Sequence, residues 1–216
     1  LSGTLPNNDI QGMQFASVID IQTDGNLQNT TSATSIQKAK EIVLKISATT
    51  NYDFTKGGLT QDDVLQKANH YLQKTTIPFD RAIIENQKAY QVFFNRNRWY
   101  SDANSETSSL STFERLQRFY KGKKDALLPI LYYNFGRYLL ISSSREGLLP
   151  ANLQGLWAEE YQTPWNGDYH LNINLQMNYW LAESTNLSEL TTPLHQFTKN
   201  LVANGRKTAK AYYDAK

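Results

Sequence analysis

The residues best suited to chemistry crowd into one stretch, from Pro150 to Trp180. Three of the four tryptophans lie there, Trp157, Trp165 and Trp180, among Asn152, Gln154, Gln162, Asn166, Asp168, His170, Asn172, Asn174 and Asn178. A carboxamide brings a carbonyl acceptor and an NH2 donor in one group, and an indole brings a broad apolar face with one N–H. Such a set suits a sugar, whose hydroxyls both donate and accept and whose C–H face stacks on rings. It equally suits a loop whose amides satisfy its own backbone, and composition alone leaves both readings open.

The run His170-Leu171-Asn172-Ile173-Asn174 narrows the choice. Polar residues alternate with apolar ones, so an extended segment would place the imidazole and both carboxamides on one face and Leu171 and Ile173 on the other. Asn is disfavoured in ordinary strands, which favours a polar pocket over a solvated strand face. Metal chemistry finds little support. The chain has no cysteine and three histidines, His70, His170 and His195; none are paired at i,i+4, and thiolate nucleophiles, disulfides and Cys-bound zinc are excluded. No metal and no cofactor are expected.

Positioning such a segment takes a sizeable core, and 216 residues with 40% hydrophobic content supply one. The net charge is only +2 and no Lys/Arg cluster occurs, which argues against a nucleic-acid partner. Mean hydropathy is −0.56 and no apolar run approaches the roughly 20 residues of a membrane span. The chain starts at Leu1 without a signal peptide and ends inside an expected helix, so it reads as a piece of a longer protein.

Residues 1–55 read as strands: Gln14 to Ile21 and Ile42 to Ala48 are β-branched and partly alternating, with Asp24-Gly25 as a hairpin turn pair. Too few strands are present to close a sandwich. Gly57-Gly58 ends that pattern. Helices are expected over 60–74 with Thr60 as N-cap, and from Pro78 to about Arg98, with Ile83, Ile84, Tyr90, Phe93 and Phe94 on its apolar face. After a polar stretch at 100–109, Ser111-Thr112-Phe113-Glu114 fits a capping box. Residues 123–144 read as a helix apolar nearly all round, buried in a larger assembly. A connection over 145–170 is longer than the ~15 residues compact domains usually tolerate without a use for it. Helices follow near 175–185 and 190–205.

Four stretches carry a resemblance. Tyr138-Leu-Leu-Ile-Ser-Ser-Ser-Arg145, Leu149-Pro-Ala-Asn-Leu-Gln-Gly-Leu-Trp157, Pro164-Trp165 and Tyr169-His-Leu-Asn-Ile-Asn-Leu-Gln-Met-Asn-Tyr-Trp180 resemble glycoside hydrolase family 95, the inverting 1,2-α-L-fucosidases with some α-L-galactosidases. The likeness continues through Ala182-Glu183, Asn186-Leu-Ser-Glu189, Pro193-Leu194 and Gly205-Arg206. Glu146, Leu148 and Leu181 depart from the family pattern, without touching His170, Asn172 or Asn174.

The resemblance implies an α+β chain, mainly α: residues 1–55 ending a β-sandwich, 56–108 a helical linker, and 109–216 the start of an (α/α)6 barrel, the six-hairpin glycosidase fold. It implies Asn174 and Asn172 at the reaction centre, Asn174 positioning the attacking water. It implies His170 on the fucose, and Asn152, Gln154, Trp157 and Trp165 are assigned to substrate binding beside it. The general acid and the assisting Asp are expected beyond Lys216, so Glu159 and Glu160 read as solvated, Asp168 as capping or orienting the loop, and Glu183 as structural or as supporting the site from behind. The partners expected are a fucosylated glycan and the remainder of the same polypeptide, in a secreted or periplasmic setting. An α-L-galactosidase of the same fold and a non-catalytic glycan-binding protein are the alternatives.

Overall fold

The structure is a computed structural model that describes residues 1–6, 11–102, 109–160 and 162–215. The chain is α+β, and its contacts divide it into two compact units, Leu1–Glu85 and Asn86–Lys216.

In the first unit, β1 (Ser2–Thr4), β2 (Gln14–Thr23) and β5 (Ile42–Thr50) form an antiparallel sheet in the order β1-β2-β5. β2 and β5 stay in register from Phe15↔Thr50 to Thr23↔Ile42. The residues between them form a separate hairpin, β3 (Asn26–Asn29) with β4 (Thr34–Gln37). Asp24-Gly25 therefore does not fold β2 back on its neighbour. Asp24 instead closes the base of the excursion, its Oδ1 accepting the amides of Lys40 at 2.9 Å and Glu41 at 3.0 Å. Gly25 lies so close to the returning strand that a Cβ would stand 2.7 Å from the Gln37 carbonyl oxygen.

A short ladder, β6 (Tyr52–Asp53) with β7 (Gly58–Leu59), leads into helix α1 (Val64–Lys74). Buried Asn51 ties this corner together, accepting from the Gln14 amide and donating to the Thr60 carbonyl, each at 2.9 Å. Thr60 is engaged there, with its amide on the Asn51 carbonyl at 2.7 Å, so the N-cap of α1 is Asp63 rather than Thr60. Asp63 accepts from the amides of Leu65 and Gln66 at 3.0 Å, as an N-cap should. Val64 and Ala68, one turn apart, pack on Ala16 and Val18 of the sheet.

The second unit contains the later residues of α2 (Phe79–Phe94), then α3 (Thr112–Tyr120), α4 (Leu128–Ser143), α5 (Asn174–Tyr179), α6 (Leu181–Ser184) and α7 (Thr192–Tyr213). The capping box of α3 forms as expected between Ser111 and Glu114. α4 starts at Leu128, five residues later than the sequence suggests. Asp125 sets that start, its Oδ1 accepting the amides of Leu127 and Leu128 at 3.1 Å, and Pro129 occupies the first turn. The core gathers Leu140, Ile141, Leu175, Tyr179, Ala182, Leu187 and Leu190, with Tyr90, Phe93, Phe94, Tyr169 and Phe197 packed against it. α4 buries only part of its circumference here: Tyr132 and Phe135 stay exposed. The expected single helix near 175–185 is split into α5 and α6, and α7 runs eight residues past its expected end. Arg137 is fully buried at 0% exposure. Its guanidinium donates to the carbonyls of Phe93, Phe94 and Asn97 at 2.9–3.0 Å. These carbonyls lie at and just beyond the C-terminal end of α2, where a cation is favoured.

Candidate functional site

The long segment after α4 folds onto itself through the groups that make it unusual. Asn152 starts an Asx turn, its Oδ1 accepting the Gln154 amide at 3.0 Å. Its carbonyl takes the Gly155 amide at 3.1 Å. Gly155 has φ +63°, and a Cβ there would meet the Trp157 ring at 2.6 Å, so the absent side chain lets the indole fold back over the turn. Trp157 stands 46% exposed, beside Tyr138.

A second turn covers Pro164–Gly167, where Trp165 (φ 51°), Asn166 (φ 57°) and Gly167 (φ 64°) are all left-handed. A bulky side chain seldom takes that backbone. Gln154 joins the two turns by donating Nε2 to the Pro164 carbonyl at 3.1 Å. A Cβ on Gly167 would come within 3.3 Å of Gln154 Oε1 and 3.4 Å of Asn152 Nδ2, so both amides lie against this turn. Gln154 Oε1 is buried without a hydrogen-bond partner. Trp165 is 72% exposed.

The His170–Asn174 run is not extended. Leu171, Asn172 and Ile173 form a turn, and α5 begins at Asn174. The carbonyl of His170 takes the Leu175 amide at 3.2 Å and that of Ile173 takes the Met177 amide at 2.9 Å. These bonds wind the chain into the helix, and the period-two pattern does not become a strand. Asn172 is exposed, whereas His170 and Asn174 are half-buried. Asp168 Oδ2 lies 4.0 Å from His170 Nε2, beyond hydrogen-bonding distance. Tyr169, between them, donates its hydroxyl to the Pro150 carbonyl at 3.0 Å.

A cavity of about 330 Å³ opens between α4, the first turn and α5; its lining includes Asn152, Gln154, Trp157, Met177, Asn178 and Leu181. Three of the seven residues singled out from sequence thus share one hollow, while His170, Asn172, Asn174 and Trp165 lie outside its lining. Two residues of the site were given no role from sequence: Asn178, counted among the amides of the stretch, and Tyr179. Asn178 follows Asn174 by one helical turn, the spacing that puts both on one face, which is the signal that could have found it. Its Nδ2 donates to the Asn152 carbonyl at 3.1 Å and reaches the Ala151 carbonyl at 3.5 Å. Tyr179, 6% exposed, shares a 2.8 Å hydrogen bond with Ser144 and accepts from the Ala151 amide at 3.3 Å. Burial raises its phenol pKa above the ordinary value, against the lowering effect of those two bonds. Among the described residues no cluster of three or more His, Asp or Glu could hold a metal ion, and no helix is long and apolar enough to cross a membrane.

Comparison with known proteins adds a family to this geometry. The chain is 36% identical over 221 aligned positions to Alpha-L-fucosidase 2 of Arabidopsis thaliana, an alignment covering 98% of this chain and 26% of the relative. It is 37% identical to Probable alpha-fucosidase A of Aspergillus niger, over 81% of this chain and 23% of the relative. It is 31% identical to Probable alpha-fucosidase A of Aspergillus oryzae, over 99% of this chain and 31% of the relative. The chain thus spans about a quarter to a third of the length of the curated relatives it matches. The family model described as Glycosyl hydrolase family 95 catalytic domain matches residues 78–216, well over half of the chain and all of the loop and helix just described, and the chain therefore belongs to glycosyl hydrolase family 95.

Proposed function

We propose that the polypeptide to which this chain belongs hydrolyses terminal α-linked L-fucose from glycans with inversion at the anomeric carbon. The match of residues 78–216 to the family's catalytic domain carries this reading. The names of the relatives and the amide-and-indole cavity support it. Inversion needs an acid on one face of the sugar and an activated water on the other, with the two carboxyls about 6.5–9.5 Å apart. A carboxamide is not a base, yet its carbonyl can orient a water that a carboxylate then deprotonates. Asn174 takes that orienting role, with Asn172 beside it and His170 on the sugar. Asn152 and Gln154 meet hydroxyls, and Trp157 and Trp165 offer stacking faces. Gln154, which lines the cavity, has a buried Oε1 without a hydrogen-bond partner.

In this reading residues 1–55 end a β-sandwich, 56–108 form a linker, and 109–216 begin an (α/α)6 barrel in a secreted or periplasmic enzyme. The general acid and the assisting Asp come from elsewhere in that barrel. The test is fucose release from 2′-fucosyllactose, with the anomer followed by NMR. The full-length enzyme is expected to yield β-L-fucose first and the 216-residue chain alone none. Asn174→Ala in the full-length enzyme is expected to lower kcat by about a thousandfold, comparable to removing one preorganised hydrogen-bonding group from an active site. An α-anomer released first, or faster turnover of an L-galactosyl substrate, overturns the assignment.

A further inference from the structure

Tyr179 and Asn178 are neighbours on α5, and both act on the same short piece of the facing loop. The hydroxyl of Ser144 donates to the Leu190 carbonyl at 2.7 Å. A hydroxyl has one hydrogen, so the 2.8 Å bond between Ser144 and Tyr179 must carry the phenolic proton toward Ser144. The Tyr179 oxygen then accepts the Ala151 amide at 3.3 Å. The result is a one-way chain, from Ala151 N–H to Tyr179 O–H to Ser144 O–H to the Leu190 carbonyl. It joins the loop, α5, the end of α4 and the turn before α7, and both side chains in it are buried. Asn178 holds the other side of the same residue, its Nδ2 on the Asn152 carbonyl at 3.1 Å and near that of Ala151 at 3.5 Å.

We infer that Asn178 and Tyr179 are positioning residues, which fix the Ala151–Asn152 backbone, and with it the amides and indole of the first turn, against the helix that Asn174 begins. The inference rests on the proposed roles of Asn174 and of the Asn152, Gln154 and Trp157 group, and it names what keeps the two in register. A sugar held by the turn and a water held at the start of α5 must meet at a fixed separation, and a small error there lowers turnover more than it lowers binding.

The test uses the full-length enzyme with Tyr179→Phe and Asn178→Leu. Amide hydrogen exchange over residues 146–157 is expected to quicken at least tenfold in each. With 2′-fucosyllactose, kcat is expected to fall ten- to a hundredfold while KM moves less than threefold, and Asn178→Gln, which keeps an NH2 donor, to recover part of the loss. Where Tyr179→Phe fails to fold, Asn178→Leu carries the test, because its carboxamide is only half-buried. Unchanged exchange overturns the inference, and so does faster exchange with unchanged kcat. A wild-type enzyme that releases no fucose brings down the proposed function instead, and the exchange data then decide the inference alone.

Discussion

Gly155 and Arg137 each meet surroundings that no other residue type could serve as well. At Gly155 the left-handed backbone and the folded-back Trp157 ring exclude a Cβ together. Gly155→Ala is expected to cost about 1–2 kcal/mol from the backbone alone and to push the indole off the turn. Tryptophan emission and KM for a fucoside check this, with KM rising several-fold as the stacking face moves. Arg137 gives its guanidinium to three carbonyls at the end of α2 while its Nε has no partner. Burial lowers its pKa from the ordinary value, which for a guanidinium still leaves it charged. Arg137→Met keeps the volume but takes the guanidinium donors from the Phe93, Phe94 and Asn97 carbonyls, of which Phe93 keeps the Arg96 amide, for an expected loss of about 3 kcal/mol in thermal unfolding. The role of Arg137 could not be read from the chain alone, because it bonds residues forty or more positions away. The Ser111/Glu114 pair could be read, because both partners lie within one turn.

At the scale of elements, periodicity found the helices, and local carboxylates moved their ends. Asp63 displaced Thr60 as a cap, and Asp125 delayed α4. Asp125 also receives Arg115 of α3 through two bonds at 2.8 and 2.9 Å, with both side chains largely buried. That bond raises the Arg115 pKa. Arg115→Met removes the guanidinium from the Asp125 carboxylate and is expected to lower stability by about 3 kcal/mol, measured by denaturant unfolding. Two carboxylates outside the core give the chain an acid-sensitive component. The Thr55 hydroxyl holds Asp53 at about 2, and the Ser111 hydroxyl holds Glu114 below its ordinary value. A depressed folded pKa adds stability that is complete above the unfolded value, about 4, and is lost as pH falls through the folded one. Unfolding midpoints are therefore expected to drop between about pH 4 and 2, and to drop less in Asp53→Asn. The His170–Asn174 run marks where pattern reading failed: alternation suggested a strand, but carbonyls at His170 and Ile173 take the helix amides and close a turn.

At the scale of the molecule, each unit leaves apolar surface uncovered. On the sheet, Ile19 faces Ile46 and Ile21 faces Leu44 across the strands, on the side away from Ala16 and Val18; Ile46 is 64% exposed. In the second unit Leu116, Phe119, Leu128, Leu131, Tyr132 and Phe135 line an apolar groove of about 600 Å³. Surfaces of this kind promote association. The 216-residue chain made by itself is expected to self-associate in sedimentation, and Ile46→Lys to shift it toward monomer. The family was readable in the runs from Tyr138 to Trp180, whereas the split between two units was not, because it depends on contacts across the chain.

The backbone at Trp165 has a further consequence. Glycine would adopt that left-handed conformation without steric penalty, and an indole pointing mostly into solvent contributes little to cohesion. Trp165→Gly is therefore expected to melt within a degree or two of the parent while its grip on saccharides weakens, a separation that calorimetry and glycan titration would resolve.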